Sequence, residues 1–202
     1  MDIVVEEEKT FEEALEKALV KLNANQSEVV YKKEEMTGKL FKSSSVKVTV
    51  ATKREILNQI KAYLKQLVEG LGLKIELESN IREDSYNIKM FSDNNPILIG
   101  KNGQTLKALE TLIKQKLLKD WKIYFKINLD VEDYKAKRID YLEKLAVRTA
   151  REVRSTKIDA TLENMNSYER RIIHNKLTDF KGIITTSEGE EPNRHIIIKA
   201  EK

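Results

Sequence analysis

The sequence of 202 residues contains no cysteine and only two histidines, His174 and His195. Disulfides, thiolate catalysis and the usual zinc-binding spacings are removed together. No stretch resembles an apolar span of about 18 residues, so no membrane-spanning helix is expected. The opening "MDIVVEEEKTFEEALEKAL" is acidic and has neither the basic segment nor the long apolar run of a signal peptide. The expectation is a soluble, cytoplasmic protein. Excess charge is also scarce: 37 Lys and Arg stand against 33 Asp and Glu, a net +4 that is too small to name a partner. The length allows two or three small domains with a real core.

Periodicity supplies the organisation. Residues 2–7 read as a short strand, and Thr10 with Glu13 has the capping-box spacing ahead of a helix carrying Phe11, Leu15, Ala18, Leu19 and Leu22. "SEVVYKKEE", a turn at Gly38, and "SSVKVTVA" follow, giving strand, helix, strand, strand over residues 1–51. From Thr52 a long amphipathic helix with Ile56, Ile60, Tyr63, Leu64 and Leu67 runs to "GLG". Two alternating strands joined by "NIRED", a short helix "PILI", a helix with Leu106, Leu109, Ile113 and Leu117, and a strand "WKIYFKINLD" complete residues 52–130. Asp130 is positioned to cap a third region, residues 131–202. It has a long helix to about Arg154 bearing Leu142, Leu145, Thr149 and Val153, then strand, helix, strand, strand. The expected fold class is α+β, in three small modules.

Charge divides unevenly among these regions. Basic and acidic residues number 8 and 10 in the first, 14 and 10 in the second, and 15 and 13 in the third. Residues 100–126 alone hold seven lysines and two acids, so positive charge follows the stretch "ILIGKNGQTLKAL". Gly100 and Gly103 bracket Lys101 and Asn102 there. A glycine pair lets backbone approach a ligand without Cβ obstruction, and the helix beginning near Gln104 turns its positive dipole end toward the gap. A phosphate suits that place; a plain helix-to-helix turn is the alternative. Neither the nucleotide P-loop nor the dinucleotide glycine fingerprint is present.

The element order of residues 52–130, with Gly-Lys-Asn-Gly between two helices, resembles a type II KH domain (α-β-β-α-α-β). The resemblance implies that Gly100, Lys101, Asn102 and Gly103 hold the backbone of about four nucleotides. Ile97, Leu98 and Ile99 would floor an apolar groove for bases, or else belong to the core.

"SYERRIIH" places Arg170 and His174 four apart on one helix face, which reads as exposed. Without neighbours this pair is a surface charge and a capping or partly buried histidine. With "ENMNSYERRIIHNKL" and "TTSEGEEPNRHIII" around it, the region resembles the R-three-H domain (Arg, three residues, His), built α-β-α-β-β. There Arg170 and His174 would bind nucleic-acid backbone, helped by Arg171 and Arg194. Lys144, Arg148 and Arg151 form a basic stripe on the preceding helix; a solvated face is the other reading. The acidic "SEGEEPNRH" is expected to shape a loop.

KH followed by R-three-H behind a β-α-β-β module resembles the Jag family (also called KhpB, or SpoIIIJ-associated protein) over essentially the whole chain. "MTGKLFKSSSVKVTV" only approximates the Lys-Gly-Leu-Phe-Gly motif of the N-terminal module. The resemblance implies a bacterial protein that binds single-stranded RNA, a post-transcriptional regulator linked to cell elongation and division, with a small KH protein as partner. A protein-interaction scaffold and a single-stranded DNA-binding protein are the rival readings. No metal, cofactor or small-molecule substrate is expected. Nothing beside His174 has nucleophile or metal-ligand spacing, so the protein is not expected to be an enzyme.

Overall fold

The computed structural model describes residues 3–36 and 45–201. The expected turn at Gly38 and most of the "MTGKLF" motif lie outside the described residues. The chain forms two compact units, Met1–Glu132 and Asp133–Lys202.

In the first unit, β1 (Ile3–Glu8), α1 (Phe11–Leu22), β2 (Val29–Met36) and β3 (Ser45–Thr52) come first. The Thr10 hydroxyl accepts a hydrogen bond from the Glu13 N–H at 3.3 Å, starting α1 as the spacing requires. The sheet order is β1-β3-β2, antiparallel throughout. The apolar stripe of α1, with Ala14, Leu15 and Ala18 buried, covers Val48 and Val50 of the central strand.

Thr52 ends β3 and also caps α2 (Lys53–Glu69), its hydroxyl accepting from the Glu55 N–H at 3.1 Å. Ile56, Ile60, Leu64 and Val68 recur every four residues and are all buried. Next come β4 (Ile75–Arg82) and β5 (Ser85–Ser92), an antiparallel hairpin turned by Glu83 and Asp84, both at positive φ. α3 (Asn95–Ile99) and α4 (Gln104–Trp121) then carry the chain across to β6 (Lys126–Val131), which pairs parallel with β5. A parallel neighbour demands such a crossover, and the glycine loop sits at its bend.

Two expectations are corrected in this stretch. Trp121 is the last residue of α4 rather than the first of a strand, and Lys122 in the left-handed region ends the helix. The buried indole donates from Nε1 to Gln59 Oε1 at 3.3 Å. The "NIRED" turn is shorter than expected, since Ile81 and Arg82 still pair with Tyr86 and Ser85.

The second unit holds α5 (Tyr134–Thr156), β7 (Ala160–Thr161), α6 (Ser167–Leu177), β8 (Ile183–Glu188) and β9 (His195–Ala200). Asp133, not Asp130, precedes α5; Asp130 belongs to β6, and its carboxylate accepts from the Val131 N–H at 2.9 Å. The sheet order is β7-β9-β8. Leu142, Ala146, Ala150 and Val153 of α5 meet Ile173 and Leu177 of α6 and Ile196 and Ile198 of β9 in one core.

Candidate nucleic-acid interface

Gly100 adopts φ 70° and ψ 178°, a conformation open essentially to glycine alone. A Cβ there would lie 2.2 Å from Thr105 Oγ1 and 2.9 Å from the Thr105 backbone nitrogen, so the position is closed sterically as well. Asn102 (φ 51°) and Gly103 (φ 77°) are also left-handed, and the Gly103 N–H donates back to the Gly100 carbonyl at 3.3 Å. The result is a tight bend delivered onto the first turn of α4. That helix has Gly103 as its N-cap, no side-chain cap and no acidic residue in its first turn. Its positive end therefore faces no local carboxylate.

Lys101 is exposed and makes no ion pair or hydrogen bond through its ammonium among the described residues; Asn102 is half-buried. The two acids of the region are engaged elsewhere, Glu110 with Lys114 at 2.6 Å and Asp120 with Lys116 at 2.9 Å. Lys101 and Lys107 are thereby the cations at the bend end of the stretch, while Lys119 and Lys122 lie at the far end of α4. Of the residues expected to floor a groove, Ile97 is 46% exposed and Ile99 half-buried, but Leu98 is fully buried. Leu98 is core, the buried residue of the five-residue helix α3.

In the second unit the expected pair is split. Arg170 is not on an exposed face: its side chain is 10% exposed. Its Nη1 donates to the Met165 carbonyl at 2.7 Å and pairs with Glu191 at 3.0 Å. Helical spacing carries the reason, since Arg170 precedes the buried Ile173 and Leu177 by three and seven residues and shares their stripe. Glu169 beside it is buried too. It joins Arg138 Nε of α5 at 2.7 Å and accepts from the Asn166 backbone at 3.3 Å, while the Asn166 side chain accepts from the Glu169 N–H at 3.1 Å. This reciprocal cap and buried ion pair fix where α6 begins. Nearby, burial pushes the Tyr134 hydroxyl pKa up, with Arg138 working against it.

His174 is exposed, one turn after Arg170, with Nδ1 2.7 Å from the Thr185 hydroxyl of β8. Arg171 is exposed, and exposed Arg194 donates from Nε to Ser187 Oγ at 3.1 Å. Tyr168, 63% exposed and three residues before Arg171, joins this surface; sequence reasoning did not single it out. Its signal was an aromatic set off the Arg170–Ile173–Leu177 stripe. Glu191, in the acidic turn between β8 and β9, was likewise read only as loop-shaping. Its contact with Arg170 is visible only in three dimensions. Among the described residues no group of three His, Asp or Glu side chains could hold a metal ion, and no helix is long and apolar enough to cross a membrane.

Known proteins match both units. Residues 58–131 match the family described as KhpA/KhpB, KH domain, and residues 140–200 match the R-three-H domain. An RNA-binding protein KhpB from Clostridium symbiosum is 38% identical over 208 aligned residues, covering 100% of this chain and 93% of that protein. The RNA-binding protein KhpB of Bacillus subtilis is 34% identical, with 79% of this chain and 77% of that protein aligned. One from Streptococcus pneumoniae is 29% identical over 73% of this chain and 45% of its own length. With identity sustained along the whole chain and both domains matched in order, the chain belongs to the KhpB family.

Proposed function

We propose that this protein binds single-stranded RNA. The observation that carries the reading is the bend at Gly100–Gly103, which brings backbone, the uncapped positive end of α4 and the unpaired Lys101 to one place. Phosphates bind at that bend, and Ile97 offers apolar surface beside it for a base. In the second unit, His174, Arg171 and Arg194 contact the backbone and Tyr168 stacks on a base. Arg170 serves this surface from inside, holding the Met165 carbonyl and the β8–β9 turn; it reaches phosphate when RNA displaces Glu191. Two such sites on one chain reinforce each other through effective concentration. The relatives' name, RNA-binding protein KhpB, supports the same ligand class.

On this reading the chain works as three modules, residues 1–51, 52–130 and 131–202, in the bacterial cytoplasm. It acts there as a non-catalytic, post-transcriptional regulator linked to cell elongation and division, with a small KH protein as partner.

The test reverses charge at the bend while leaving its glycines. Lys101→Asp with Asn102→Asp places two carboxylates before α4, where acids are compatible with a helix start. Affinity of the full chain for a single-stranded RNA should fall by at least about tenfold, near 1.4 kcal/mol. The circular dichroism spectrum should be unchanged. Undiminished binding by the folded double variant would show that "IGKNGQ" is merely a turn.

A further inference from the structure

The open side of α5 and α6 forms a hollow of about 520 Å³. Asp140, Glu143, Lys144, Arg148 and Arg151 of α5 line it, with Lys176 of α6 opposite and Val147 as a half-buried floor. The α5 residues recur at helical spacing and so form one continuous ridge.

The cations of this hollow differ in what they touch. Lys144 pairs with Asp140 at 2.6 Å, and Lys176 pairs with Glu143 at 2.7 Å. Arg148 and Arg151 are exposed, and their side chains have no hydrogen bond or ion pair among the described residues. Both carboxylates lie toward one end of the ridge, so the other end presents two unneutralised guanidinium groups. Guanidinium is weakly hydrated and offers paired N–H donors in a planar fork, which suits phosphate oxygens. Lys144 and Arg148 are separated by about 6 Å along the helix axis. A flexible chain of phosphates can engage them in turn. Lys144 and Lys176 sit in exposed pairs of little worth and can exchange carboxylate for phosphate.

The hollow is distinct from the surface around His174. On α6, His174 faces Thr185 of β8, whereas Lys176 reaches across to Glu143 of α5. These contacts turn the two residues toward different neighbours of the same helix.

We infer that the hollow between α5 and α6 is a second phosphate-backbone site of the C-terminal unit, engaging single-stranded RNA through Arg148 and Arg151. This rests on the RNA-binding reading above and adds to it a surface outside the Arg170–His174 motif.

The experiment measures binding of the full chain to two unrelated single-stranded RNAs across a salt series. Arg148→Gln with Arg151→Gln removes two cations without introducing a charge. The slope of log affinity against log salt should shrink by about 1.4, at roughly 0.7 for each phosphate contact on a single strand. The loss should be alike for both RNAs, since backbone contacts carry no sequence information. The charge-conserving pair Arg148→Lys with Arg151→Lys should retain most of the parent's slope, and the melting curves should show all three proteins folded. If the parent binds RNA with a salt dependence and the glutamine pair matches it in slope and affinity, the hollow is not a phosphate site while the RNA reading stands. If the glutamine pair keeps its RNA binding but loses binding to polyglutamate that the parent shows, the hollow docks an acidic protein segment and the inference is wrong. If the parent binds no RNA at any salt, the inference falls together with the reading beneath it.

Discussion

At the residue scale, Arg170 and His174 belong to one motif but are held by different forces. Arg170 is enclosed and supplies a hydrogen bond to the Met165 carbonyl; truncating it leaves that acceptor without its partner and Glu191 without a cation. Arg170→Ala should cost about 2 kcal/mol, a drop of roughly 10 °C in the melting temperature of the C-terminal unit. His174→Ala, on the exposed side, should stay within about 0.5 kcal/mol while weakening RNA binding. Equal melting temperatures for the two variants would show that the enclosure of Arg170 has no energetic weight. Tyr86 presents the opposite case. Its hydroxyl is buried in β5 without a hydrogen-bond partner, and burial drives its pKa well above the ordinary tyrosine value. Tyr86→Phe removes an unsatisfied polar atom at nearly constant shape and should raise stability by about 1 kcal/mol. A lower midpoint in urea would mean that the hydroxyl has a partner after all.

At the element scale, α6 is set by its first turn. Asn166 and Glu169 cap each other, and Arg138 of α5 ties that cap to the neighbouring helix. Asn166→Ala should therefore cost about 1 kcal/mol, and amide exchange at Ser167 and Tyr168 should quicken while exchange in β9 is slowed as before. Protection unchanged at the start of α6 would assign its position to packing alone. The same scale shows what was legible in the sequence. Helix stripes such as Ile56–Ile60–Leu64 follow from one period over many residues, and every strand alternation except one found its element. The exception, "WKIYFKINLD", alternates straight through a helix end. Lys122 enters the left-handed region without being glycine, so no stop signal marked Trp121 as helical. The glycine bend was legible because the backbone at Gly100 fits glycine alone. The burial of Arg170 was encoded too, in its spacing to Ile173 and Leu177, but charge argued for exposure and hid it. Glu191 lies 21 positions away in sequence, beyond the reach of any local pattern.

At the scale of the whole molecule, the described residues form three separate three-stranded sheets that follow one another along the chain, and the position of the central strand differs among them. In the middle sheet β5 pairs first with its immediate predecessor β4, so a hairpin can form as soon as both exist. In the other two the centre is the last strand made: β3 lies between β1 and β2, and β9 between β7 and β8. A chain terminated after Asn193 should consequently lack the C-terminal melting transition altogether while keeping that of the first unit. A surviving second transition would mean that α5 and α6 suffice without a sheet. During synthesis the same order imposes a wait. β7 and β8 leave the ribosome with their ladder groups unmatched, and Ile183 of β8 cannot be sealed into its core until His195–Ala200 emerges. Slow docking of His195–Ala200 would lengthen the exposure of those strands, so the speed of that last pairing step governs how much nascent chain escapes misassembly.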